Sequence, residues 1–189
     1  MKNLFFSLFL LSMLGCSSSD ENRLNNSFEN CISTDTKETF SLLEKNFEEL
    51  LIREGLETEQ NQPDYGRFVF EIATLCDIDP PIFFQYKADS DLLNLIRENK
   101  FDQLIHRHTD NSENFFSCFK RLNIPKNSTL NSYLEVKNQV GDISPRLIAR
   151  GLLYHTKDEE YNDKLVRKII LKELYLPYII DYNQSKYMN

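Results

Sequence analysis

DTKETFSLLEKNFEELLIREG, residues 35–55, decides the fold class. Asp35 followed three residues on by Glu38 has the form of a capping box, an acceptor at the helix start and a carboxylate that reaches back. Phe40, Leu43, Phe47, Leu50 and Leu51 then recur at spacings of three and four, one apolar stripe of a 3.6-residue period, and Gly55 supplies a left-handed stop. The stretch predicts an amphipathic helix, and its logic repeats along the chain.

Downstream, Phe68, Ile72 and Leu75 share a face before Pro80-Pro81 breaks the run. Leu92, Leu93, Leu95 and Ile96 follow Asp89, and Phe101, Leu104 and Ile105 continue beyond a turn. Ser112 is the expected cap of a helix that buries Phe115, Phe116, Phe119 and Leu122. A further helix is expected over 130–139, ending near Gly141. Ser144-Pro145 opens the next, because serine caps and proline suits the first helical position; Leu147, Ile148, Leu152 and Tyr154 are its expected inner face. Thr156 to Glu159 repeats the capping box ahead of Tyr161, Leu165, Ile169 and Leu176, with Pro177 expected to bend or end this last helix. The expectation is an all-α single domain of about six to eight helices over 35–189.

The amino terminus reads differently. One lysine precedes LFFSLFLLSML, residues 4–14, an apolar run of signal-peptide length and too short for a spanning helix, which needs about 20 residues. Met13-Leu14-Gly15-Cys16 resembles the lipobox of bacterial lipoproteins. That resemblance implies cleavage between Gly15 and Cys16, removal of 1–15, and a diacylglyceryl group on the Cys16 thiol. Ser17, standing where inner-membrane lipoproteins carry aspartate, implies the outer membrane. Ser19-Asp20-Glu21 resembles the acidic export tail of some surface lipoproteins, and is equally the start of a plain tether. Residues 16–34, rich in Ser and Asn, are expected to be that tether, spanning about 23 Å as a flexible coil.

The chain holds 22 basic and 29 acidic residues, a formal charge of −7, with no basic stripe, so nucleic acid is not an expected partner. Beyond Cys16 there are Cys31, Cys76 and Cys118. Three is odd, so at least one does not pair within the chain, and the apolar settings of Cys76 and Cys118 favour buried thiols.

Motifs for chemistry are scarce. With five glycines there is no phosphate-binding loop, and neither G-x-S-x-G nor H-E-x-x-H occurs. His106 and His108 stand two apart, a spacing that points them to different faces of a helix. Asp77 and Asp79 are the best candidates for a carboxylate pair or a metal site, although Asp-Ile-Asp-Pro-Pro is also ordinary turn chemistry. No cofactor is expected. Tyr175, Tyr178 and Tyr182 near the carboxyl terminus are candidates for a partner-binding face, with core packing as their alternative. The leading expectation is a membrane-anchored, non-enzymatic envelope lipoprotein that binds a protein partner. A carboxylate-dependent envelope hydrolase and an immunity-type protein are the alternatives.

Overall fold

The computed structural model describes residues 16–74, 92–94, 110–141 and 143–179, with side chains over 20–74, 92–94, 115–141 and 143–179. Helices α1 Cys16–Cys31, α2 Thr34–Arg53, α3 Tyr65–Thr74, α4 Asp110–Arg121, α5 Thr129–Val140, α6 Pro145–His155 and α7 Lys164–Ile170 make up the body. A 3-10 turn, Asp158–Asn162, leads into α7, and a π turn, Leu171–Tyr175, carries it onward. Among the described residues the only β pairing is an isolated bridge, Glu57 to Pro63. The class is all-α, as the periodicity predicts.

The expected stripe of α2 is the centre of the core. Phe40, Leu43, Phe47, Leu50 and Leu51 are all buried, and the Phe47 ring meets Tyr65, Phe68 and Tyr175. The cap lies two residues earlier than the capping box suggests: Ser33 is the N-cap, its hydroxyl accepting from the Thr36 N–H at 3.2 Å. Gly55 takes φ +71°, the left-handed stop the sequence requires.

The flexible tether expected over 16–34 is corrected. Residues 16–31 are helical, and Leu24, Phe28 and Ile32, spaced by four, are buried in the core. Phe28 packs against Phe115 and Phe119 with ring centroids 5.4 and 4.6 Å apart. Cys31 is bonded to Cys118 on α4, so the expected buried thiol at Cys118 is a disulfide. Three well-spaced apolar residues and a covalent link dock a helix whose remaining composition is polar.

The chain direction of α1 follows from its contacts. Glu21 is within electrostatic reach of Asp163 and Lys164 at the start of α7, and Glu29 pairs with Lys168 at 2.9 Å. Lys172 in turn lies over the Phe115 ring, beside Phe28. Helices α1 and α7 therefore run in the same direction, and both start at one end of the body.

That end gathers several connections. The Thr129 hydroxyl at the start of α5 lies 3.0 Å from the His155 carbonyl at the end of α6 and 3.1 Å from Glu160 of the 3-10 turn. The carboxylate of Glu160 also accepts from the Lys157 N–H at 2.9 Å, so the reciprocal half of the expected capping box sits one residue later. Tyr161 belongs to this turn and not to the last helix, which starts at its cap, Asp163.

In α6 the Ser144-Pro145 start is present, and Ile148 and Leu152 face inward. Leu147 and Tyr154, expected inward, are 57% and 85% exposed. Tight packing of α6 on α3 buries only the narrow stripe of Ile148, Ala149 and Leu152. Pro177 neither ends nor halts the last helix. Without an N–H to give to the carbonyl four residues back, the backbone widens just upstream: the Leu176 N–H bonds the Leu171 carbonyl, five residues away. Helix then continues to Ile179.

Candidate functional site

The most concentrated polar chemistry lies on the π turn. Glu173, 7% exposed, receives Tyr133 Oη at 2.6 Å and Lys172 Nζ at 2.7 Å on one oxygen, and Lys137 Nζ at 2.9 Å on the other. Burial alone would raise its pKa, yet the Lys172 and Lys137 charges and the donated hydrogen bonds hold it down at about 2. Tyr133 is pushed the opposite way, by burial first and the Glu173 charge second. A carboxylate held ionised by two ammonium groups cannot deliver or take a proton near neutrality, so this cluster is structural chemistry. It locks α5 to the last helix.

A second network joins α2, α3 and α7. Arg167 stacks its guanidinium 4.5 Å from the Tyr65 ring centre and reaches Glu48 Oε1 at 3.4 Å, the same oxygen that accepts from Tyr65 Oη at 3.2 Å. Its other nitrogens donate to the Tyr161 carbonyl at 3.3 Å and to Asn162 Oδ1 at 3.1 Å.

Beside this network opens a groove of about 470 Å³, with Gly66, Arg67 and Phe70 of α3 on one wall and Leu153, Asp158 and Tyr161 on the other. Gly66 is required here because a Cβ at that position would stand 2.9 Å from Tyr161 Cδ2. Phe70 and Leu153 are 51% and 39% exposed, and Asp64, Arg67 and Asp158 bring charge to the rim. The Tyr161 and Thr156 hydroxyls are both buried and lie near each other. Burial raises the Tyr161 pKa. An open groove with a mixed apolar and charged lining suits recognition of a surface or segment better than enclosure of a small substrate.

No known protein family, curated protein or solved structure matches the chain. The site therefore rests on its own geometry.

Of the residues singled out from sequence, Met13, Leu14, Gly15, Cys76, Asp77, Asp79, His106, His108 and Tyr182 lie outside the described residues, as do Leu75, Pro80, Pro81, Asp89, Leu95, Ile96, Phe101, Leu104 and Ile105 of the expected helices. Cys16 and Ser19 are in the first turn of α1. Asp20 pairs with Arg23 at 3.2 Å on the exposed face, and the Glu21 pKa is raised by burial and then by Asp163. Tyr175 is not available as a partner-binding residue. It is 2% exposed and donates to Asn46 Oδ1 at 2.6 Å, the core role that was its alternative. Tyr178 packs against the core, partly buried. Among the described residues, no cluster of three His, Cys, Asp or Glu could hold a metal, and no helix is long and apolar enough to cross a membrane. The sequence reading missed Glu173, Lys137 and Lys172, because charges at helical spacing look like a solvated face until the partner helix is known.

Proposed function

We propose that the chain is a lipid-anchored protein of the bacterial cell envelope, held at the outer membrane through Cys16, whose helical body acts by binding another protein. The observation that carries this reading is the apolar run 4–14 ending in Gly15-Cys16. Two features support it. The Cys31–Cys118 disulfide is a bond that persists in oxidising compartments such as the periplasm and cell surface. The open groove around Phe70 and Leu153 offers apolar surface of the kind that protein partners cover.

The test is cross-linking in intact cells, comparing wild type with Cys16→Ala. The wild-type protein is expected to give discrete higher-mass adducts with protein, reduced or lost when the anchor is removed. A monomer alone in both strains, with both shown to be exported and folded, overturns the protein-binding reading.

A further inference from the structure

We propose that α1 acts as a rigid strut that fixes the body's orientation on the bilayer, turning one defined end toward the lipid surface. This rests on the lipid-anchor reading of Cys16. That end is made by the start of α1, the 3-10 turn, the start of α5 and the end of α6.

A lipid on a flexible tail would leave every face of the body free to meet the membrane. Here the lipid-bearing residue belongs to a helix whose Leu24 and Phe28 are buried in the core and whose Cys31 is bonded covalently to α4. Cys16 precedes Glu21 by five residues, about 7.5 Å of helix, and Glu21 is within electrostatic reach of Asp163 and Lys164 at the start of α7. Acyl chains on Cys16 would therefore leave the body within one and a half helical turns of the 3-10 turn, with no slack for the body to roll over.

The residues at this end suit a zwitterionic headgroup layer. Tyr154, in the last turn of α6, is the most exposed large hydrophobic side chain among the described residues. Tyrosine is enriched at bilayer interfaces, where its amphipathic ring sits at the headgroup level. Lys157, Asp158 and Glu159 are all exposed nearby, a mixed set with net negative charge, so the orientation comes from the strut and not from attraction to anionic lipid. Val140, at the other end of α5, lies 11 residues from Thr129, about 16 Å along the helix, and is 63% exposed.

The chain has no tryptophan, so Tyr154→Trp and Val140→Trp each create a single reporter at an exposed position. Each full-length lipidated variant is reconstituted into phosphatidylcholine vesicles containing acyl chains brominated close to the headgroup, and vesicle flotation is measured in parallel. Quenching is expected to be several-fold stronger at position 154 than at 140, with equal flotation. Equal quenching at the two positions, absence at both included, overturns the fixed orientation while leaving the anchor intact. Failure of lipidated protein to float removes the anchor reading and this inference with it.

Discussion

Breaking the Cys31–Cys118 bond tests how α1 is held. The two cysteines are 87 residues apart in sequence with Cα atoms 5.7 Å apart, so the bond closes a long loop. In the chain-entropy treatment a loop of that length restricts the unfolded state by about 4.6 kcal/mol at 25 °C. For a domain of this size each kcal/mol moves the melting temperature by about 2 to 4 °C, so reduction is expected to lower it by roughly 10 to 15 °C. Reduction of the wild-type body is a cleaner perturbation than Cys→Ala, because both sulfurs stay in place and Cys118, 2% exposed, leaves no cavity. The assay is denaturation followed by circular dichroism with and without reductant, on the Cys16→Ala protein. Thiol titration of the same protein, denatured but unreduced, should find one reactive thiol, that of Cys76. Three reactive thiols, or a melting temperature indifferent to reductant, would refute the covalent docking of α1.

Phe28→Ala should cost about 3 to 5 kcal/mol in denaturant unfolding, since its ring is fully buried against Phe115 and Phe119; a neutral result would restore the flexible tether. Glu173→Gln should cost a similar amount, about 3 to 5 kcal/mol, by removing the carboxylate charge that faces the buried Lys172 ammonium. The same residue sets an acid limb. Its folded pKa of about 2 lies below the ordinary 4.5, so its contribution is complete above about pH 4.5 and lost on acidification toward pH 2. Stability curves of the wild type should fall over that window more steeply than those of Glu173→Gln. Gly66→Ala should cost about 1 to 3 kcal/mol by forcing Tyr161 away, whereas Gly151→Ala, with open space at its Cβ, should be neutral or stabilising in the same thermal assay.

The parts of the fold legible in the sequence are those where periodicity and caps coincide. The stripe from Phe40 to Leu51, the Ser144-Pro145 start and the Gly55 stop need only local chemistry, and each is where the pattern puts it. Helix α1 was harder to see. Leu24, Phe28 and Ile32 keep a spacing of four, yet the serines and asparagines around them match the composition of a linker. Its stability comes from tertiary partners, Phe115, Phe119 and Cys118, none of them local. Leu147 and Tyr154 fail for the converse reason: a stripe shows which residues can be buried, while the width of the partner helix decides which are. The groove was invisible because its walls come from α3, α6 and the 3-10 turn, and nothing local marks Gly66 as the point of close approach to Tyr161. The proposed anchor motif, by contrast, is wholly local and wholly a matter of sequence.

The most direct test of the central claim is the mass of the amino-terminal peptide from protein extracted out of bacterial membranes with detergent. The account predicts a first residue of Cys16 carrying a diacylglyceryl modification. An unmodified Cys16, or a mature chain that starts anywhere else, would contradict it.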